Sequence, residues 1–397
     1  MRKGRLIVLL LLLIVPLCLG AQDVLQMFGY FESQFLGAYA HEEFYQLYTN
    51  KLRIDLKANL SDKITFAANF DYIVYHGNTE WNILDFLSSE IVSAIPTGMQ
   101  NLYIIPFSDR TFLDNAYIKI AFKYFDLTVG KQQISLGTGY VWNPTDVFNI
   151  KDPLDPTYEQ PGHNAIRMDI PIRPGFTLTT LYSPGDSWRQ SACLIQLKGR
   201  ISHFDFSIIA VEKGLTFHDY TRFNLLALNF LEHPERRQVL GGSLAGELLG
   251  VGLWAEYAYS RMEISDDFYE LVIGIDYTFD FQTYIMAEFY RNTLGKTDFK
   301  QYDLNDWMRL FASEQKTISR DQVYCLIQHP MTDLLNFGLS SIYSFSDESL
   351  ILIPMLTYNL SNNVDIMAYL NFNLGEEGKV FGRNLGNGGL LRARVYF

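Results

Sequence analysis

The chain ends in Asn387-Gly388-Gly389-Leu390-Leu391-Arg392-Ala393-Arg394-Val395-Tyr396-Phe397. Leu391, Ala393, Val395 and Phe397 share one face of an extended strand, while Arg392, Arg394 and Tyr396 share the other. That is the period-2 pattern of a sheet with one apolar and one polar side. A second stretch repeats it: Leu52, Ile54, Leu56, Ala58 and Leu60 alternate with Lys51, Arg53, Asp55, Lys57 and Asn59. Such strands are suited to separating lipid from water.

From Val24 onward the chain divides into segments of this kind. Strands are expected at 24–40, 46–60, 64–76, 111–122, 125–134, 164–172, 176–183, 191–199, 203–213, 238–247, 250–262, 267–279, 281–292, 321–328, 333–345, 348–360, 363–373 and 387–397. They make eighteen, or sixteen if short segments such as 176–183 are discounted. Connections after even-numbered strands are short, for example Ser61-Asp62-Lys63 and Arg173-Pro174-Gly175. The long ones, 77–110, 135–163, 214–237, 293–320 and 374–386, all follow odd-numbered strands. An even count with this sorting places both termini at one end and the long loops at the other, as in a periplasm-to-exterior barrel. The expected fold is all-β: one transmembrane antiparallel up-and-down β-barrel. Closure is required because an open sheet edge in hydrocarbon would leave backbone groups unpaired.

Composition agrees. Aromatic residues make up 15% of the chain, with 25 Tyr and 29 Phe, enough for interfacial girdles. Met1-Arg2-Lys3-Gly4-Arg5, the apolar run Leu6 to Leu17 and the small residues Gly20-Ala21 have the layout of a secretory signal. Residues 1–21 are therefore expected to be removed, leaving 22–397 as the barrel. Cys18 follows Leu17, where a lipoprotein signal requires a small residue, so lipidation is not expected. After Ala21 no apolar run reaches the ~18 residues of a spanning helix. Loss of Arg2, Lys3 and Arg5 moves the formal charge from −12 to −15, which excludes nucleic acid as a natural partner. Cys193 and Cys325 fall in strands far apart in order, so no disulfide is expected.

Three long loops carry helical spacing: Thr79 to Ile95, capped by Thr79 and stopped by Pro96, Thr221 to Leu231, and Leu304 to Phe311. Apolar faces there pack across the barrel mouth or dock a partner protein. Between strands lie Val129-Gly130-Lys131-Gln132-Gln133-Ile134-Ser135-Leu136-Gly137-Thr138-Gly139, then Trp142-Asn143-Pro144-Thr145-Asp146-Val147-Phe148-Asn149, Asp152-Pro153-Leu154-Asp155-Pro156 and Glu159. Gly137 and Gly139 permit backbone angles closed to other residues, the prolines stiffen the path, and Asn and Asp cap turns. Such a loop serves as a pore constriction, as scaffolding, or as a calcium site of Asp146, Asp152, Asp155 and Glu159, whose spacing is irregular for that ion.

This stretch, with Asn164-Ala165-Ile166-Arg167-Met168-Asp169 and the tail from Asp347 to Phe397, resembles a loosely defined group of porin-like outer-membrane proteins of Gram-negative bacteria. In that group a Gly-Lys/Arg-Gln strand end leads to a glycine turn, an Asn-Pro-Thr-Asp loop and an arginine-bearing return strand. Leu136 departs from the aromatic usual there. The resemblance implies an outer-membrane channel without naming a solute, and a terminal Phe397 read by the barrel-assembly machinery.

Alternation places Glu32, Arg53, Asp55, Lys57, Asp71, Lys119, Arg167, Asp169, Lys198, Asp205, Glu256, Asp276, Glu288, Arg392 and Arg394 on the inward face. With Lys131, Gln132 and Asp146 from the loop region, the candidate pore-lining or constriction set is Arg53, Asp55, Lys57, Asp71, Lys119, Lys131, Gln132, Asp146, Arg167, Asp169, Glu256, Glu288, Arg392 and Arg394. Opposed acids and bases set up a transverse field favouring small polar solutes, or else simply pair and keep the interior wet. Tyr140, Trp142 and Phe148 form a stacking rail for sugars or pack the loop.

The expected function is passive diffusion of small hydrophilic solutes, with outer-membrane lipid around the chain and homo-oligomers open. A plugged or docking barrel, in adhesion or in an export or uptake complex, is the alternative. A barrel-embedded hydrolase would need His218 beside Asp219 or His163 near Glu159, neither within a recognisable constellation. No catalytic residue, cofactor or resident metal is assigned.

Overall fold

Period-2 alternation along long segments, with turn residues between them, produces strands that each bury one face and offer the other to lipid. The computed structural model describes residues 25–40, 43–151 and 159–397. The expected signal segment, Cys18, Asp152 and Asp155 lie outside the described residues.

In chain order the strands are β1 (Leu25–Ala40), β2 (Glu43–Ser61), β3 (Ile64–Gly77), β4 (Glu80–Asn82), β5 (Ile104–Pro106), β6 (Arg110–Ala121), β7 (Asp126–Gln133), β8 (Gly162–Arg173), β9 (Phe176–Ser183) and β10 (Ala192–Ile201). They continue as β11 (Phe204–Asn224), β12 (Asn229–Leu248), β13 (Val251–Met262), β14 (Phe268–Thr278), β15 (Tyr284–Asn292), β16 (Asp321–Pro330), β17 (Leu335–Ser344), β18 (Ser349–Ser361), β19 (Val364–Asn373) and β20 (Asn387–Tyr396).

β4 and β5 form a two-stranded ribbon within one loop, and the other strands make a single 18-stranded sheet. Each pairs antiparallel with its neighbour in sequence, and β1 pairs with β20, Glu32 opposite Arg394. Gly29 and Phe397 exchange both backbone hydrogen bonds at 3.0 Å, which seals the seam. The count is eighteen rather than sixteen, and the fold is a closed up-and-down barrel.

Outward positions are apolar and uncovered: Phe31, Ile195, Leu240, Ile273, Leu356, Leu370 and Leu391 are exposed large hydrophobics. An apolar band of this extent is stable against lipid and not against water. Cys193 and Cys325 are free thiols on this outer surface. Among the described residues no helix is long and apolar enough to cross a membrane. The barrel is therefore an outer-membrane protein, with its short turns, the start of β1 and the end of β20 at the periplasmic end.

Two loops differ from expectation. Thr221–Leu231 is not helical, and 214–237 is not a long loop: β11 and β12 continue as a ribbon that turns at 225–228. Asn224 Oδ1 accepts hydrogen bonds from the Leu226 and Ala227 amides, an Asx turn that overrides the leucine spacing. Thr79–Ile95 is broken into β4, a 3-10 turn at Ile83–Phe86 and a short helix at Ser89–Ser93, with Asn82, not Thr79, capping the first turn. Leu304–Phe311 is helical as expected, closed by a reciprocal capping box between Asp303 and Asp306.

Candidate functional site: the infolded loop and the charged wall

The interior is decided by the connection between β7 and β8. Residues 141–149 are all buried, so this loop lies inside the barrel. Its backbone is held by two inward-facing carboxylates on the wall. Glu256 of β13 accepts from the amides of Thr138 (2.7 Å), Gly139 (3.2 Å) and Thr145 (2.6 Å) and from the Thr145 hydroxyl (2.8 Å). Glu288 of β15 accepts from the amides of Tyr140 (2.6 Å), Val141 (2.9 Å) and Trp142 (3.0 Å), and from Trp254 Nε1 (2.7 Å). A turn of successive amides is a natural cradle for an anion. Here the anions belong to the barrel.

Gly137 follows from this docking. Its φ is +85°, and a Cβ there would stand 2.6 Å from both Glu256 carboxylate oxygens. Asp146 organises the loop from within, accepting from the Phe148 and Asn149 amides at 2.9 and 3.0 Å. Burial pushes its carboxyl pKa up, against the opposing pull of those Asn149 and Phe148 hydrogen bonds. Trp142 stacks on Tyr290 with ring centroids 4.9 Å apart, and Phe148 is buried, so neither belongs to a stacking rail; only Tyr140 remains exposed.

Glu159, at the far end of this connection, meets a different wall, that of β1 and β2. Glu159 accepts from Lys51 Nζ at 2.7 Å and Tyr30 Oη at 2.6 Å, and pairs with Arg394 at 3.1 Å and Arg53 at 3.4 Å. Burial opposes its ionisation, yet the Lys51 and Tyr30 hydrogen bonds and the Lys51 and Arg394 charges hold its pKa at about 2. Around it Arg53 pairs with Asp55 (2.9 Å) and Asp114 (3.4 Å), Lys51 with Asp71 (3.4 Å), and Arg394 with Glu32 (2.6 Å). Arg392 reaches Glu32 and Asp365, each at 3.7 Å. These groups form a charged sector centred on β20, β1, β2, β3 and β6, with Asp365 of β19 at its edge.

Elsewhere much of the upper inner wall is apolar and covered. Ile134, Leu136, Val147 and Phe148 of the loop pack on Leu181, Leu194, Ile209, Val211 and Val239. Ile83, Leu84, Tyr103, Trp307 and Phe381 from three other loops pack with Trp142 against Met286, Tyr290, Leu326, Ile342 and Ile351. The charge on this wall is buried and compensated: Glu270 sits between Arg237 (3.1 Å) and Lys316 (2.9 Å), and Glu256 and Glu288 are covered by the loop.

The predicted residues divide accordingly. Arg53, Asp55, Asp71, Arg392 and Arg394 come together. Lys119, Arg167 and Asp169 face inward farther down; Lys119 pairs with Asp126 at 2.8 Å and Arg167 with Asp169 at 2.9 Å. Lys57 shares the inward face of β2 near its periplasmic end. Glu256 and Glu288 are fully buried beneath the loop, so they anchor it instead of lining a passage. Asp146 is likewise internal to the loop. Gln132 is buried, its amide donating to the Ala165 carbonyl at 3.1 Å. Lys131 lies opposite Ala116, on the outward parity of β7, and donates to the Leu113 carbonyl at 2.8 Å, so it does not line the lumen.

Lys51, Tyr30, Asp114 and Glu159 were not on the predicted list; the parity of Lys51 with Arg53 was the available signal. Among the described residues no group of acids, histidines and cysteines is placed to hold a metal ion. His218 is bonded to Glu314 (2.6 Å), not Asp219, and His163 to Asn149 (2.9 Å), not Glu159.

No protein-family profile matches the chain, and no curated protein matches it in sequence. Solved structures do match in fold. OccAB3 of Acinetobacter baumannii superposes with a TM-score of 0.56 at 8% identity, covering 94% of this chain and 99% of that one. OccK2 (OpdF) of Pseudomonas aeruginosa, solved in complex with glucuronate, gives 0.56 at 9% identity, over 94% and 97%. OccK5 (OpdH) of the same organism gives 0.55 at 10% identity, over 94% and 98%. At these identities the likeness is one of fold. The fold is the closed 18-stranded β-barrel of bacterial outer-membrane proteins.

Proposed function

We propose that this protein is an outer-membrane channel through which small hydrophilic solutes diffuse passively. The observation that carries the reading is the network of paired charges of both signs on β20, β1, β2, β3 and β6, facing a loop bolted to the opposite wall. Elsewhere the loops cover the wall, its buried Glu256, Glu270 and Glu288 included, whereas the paired charges of this sector meet Glu159. A narrow aqueous path along that sector, with fixed charges of both signs, passes small polar solutes and rejects apolar ones. Residues 1–21 act as the export signal, and the closing strand with Phe397 serves recognition by the assembly machinery.

The test is conductance in planar bilayers. Purified, heat-stable barrel should give discrete ohmic steps, and folded protein that never conducts would refute the reading. A plugged barrel is the second reading, favoured by the apolar packing of Ile83, Leu84, Trp307 and Phe381 beneath the mouth. Removal of 80–95 separates the two. A plugged barrel begins to conduct on the deletion, whereas an open channel conducts beforehand.

A further inference from the structure

Below the infolded loop, on the periplasmic half of the β9–β12 wall, is a cavity of about 250 Å³. Gly137 and Thr138 form its roof, and Thr177, Gln196, Lys198, Ser207 and Ser243 form its polar wall. It has room for roughly eight waters, and so for a solute of about a dozen heavy atoms.

Three of its groups are unused by the fold. Ser243 is 8% exposed, and its hydroxyl has no hydrogen-bond partner in the protein; the Thr138 hydroxyl is buried and unpartnered too. Buried hydroxyls are normally satisfied, and exceptions call for a reason. Lys198, directly opposite Ser207 across β10 and β11, makes no ion pair among the described residues. The acid in the lining, Asp205, is already engaged in two hydrogen bonds with Arg200, at 2.6 and 2.7 Å, and Asp169, whose charge also acts on Lys198, is paired with Arg167. Gln196 donates to the Ser207 hydroxyl at 2.8 Å and is thereby held in place.

We propose that the cavity between Thr138, Lys198 and Ser243 is a binding subsite for a small polyhydroxylated anion, a sugar acid of about six carbons. Lys198 supplies the charge for the carboxylate, while Thr138 and Ser243 take hydroxyls. Because the roof is the Gly137-Thr138 turn docked on Glu256, the subsite exists only while the loop is seated. This rests on the channel reading and names the solute class that such a channel would retain in passage.

The test is calorimetric titration of the detergent-folded barrel with D-gluconate, with sorbitol as the neutral control. Gluconate should bind and sorbitol should bind at least tenfold more weakly. Lys198→Gln should weaken gluconate binding about tenfold or more, as expected for loss of a charge-assisted hydrogen bond. Ser243→Ala should cost about threefold for a neutral bond, and Lys198→Arg should largely restore affinity. Equal binding of gluconate and sorbitol, or gluconate binding unchanged in Lys198→Gln, overturns the proposal. A barrel that conducts but binds no gluconate overturns it and leaves the channel intact. Binding without conductance supports the subsite and refutes passage.

Discussion

Replacing Glu288 by Ala removes the acceptor for three loop amides and the Trp254 indole, all between 2.6 and 3.0 Å. The carboxylate is 0% exposed, so solvent does not share these bonds in the native state. Each buried donor left unsatisfied costs about 1–3 kcal/mol. The terms are not additive, because water enters as the loop lifts. A loss of about 3 kcal/mol in docking energy is therefore the working figure, a factor of roughly 150 between docked and undocked loop. The barrel should survive, since its ladder of backbone bonds is untouched, and a heat-modifiable gel shift will show this. Single-channel recording should then show larger, noisier currents than wild type. Glu288→Gln should fall between, because its amide oxygen still accepts. Unchanged conductance and noise in Glu288→Ala, with loop amides as protected from hydrogen exchange as before, would refute the assignment of this residue as an anchor.

Glu159 gives a pH prediction. Its carboxyl is depressed from the ordinary 4.5 to about 2, so it stabilises the folded state above about 4.5 and loses that contribution as pH falls through about 2. That shift corresponds to roughly 3 kcal/mol, reduced to about 2 kcal/mol because the side chain is 33% exposed. Current noise should accordingly be flat from neutral pH to about 4 and rise only near pH 2–3, while Glu159→Gln should be noisy at every pH. Gly137→Ala should disturb the loop as Glu288→Ala does, since its Cβ would meet the Glu256 carboxylate, and hydrogen exchange of the 138–145 amides reads this directly. Arg53→Glu should move reversal potentials in a salt gradient toward cation selectivity, because it turns the centre of the charged sector acidic; an unchanged potential would place the ion path elsewhere.

The alternation of β2 and β20 was enough to establish a barrel, its inward charges and its closing strand. Side-chain parity is a local property that lipid enforces along every strand. Runs such as Ser349-Leu350-Ile351-Leu352-Ile353 are apolar on both faces, yet nothing local says what covers the inner one. The hairpin at 225–228 was misread because leucine spacing is helical while the Asn224 turn is not. What only the folded chain decides is the fate of the inward acids. Glu32 and Asp71 remain in the charged sector, whereas Glu256 and Glu288 disappear beneath a loop more than a hundred residues away in sequence. Period-2 alternation orients a side chain toward the lumen; what it meets there depends on loops returning from other parts of the chain, and backbone amides carry no mark in the sequence of the carboxylate they will find.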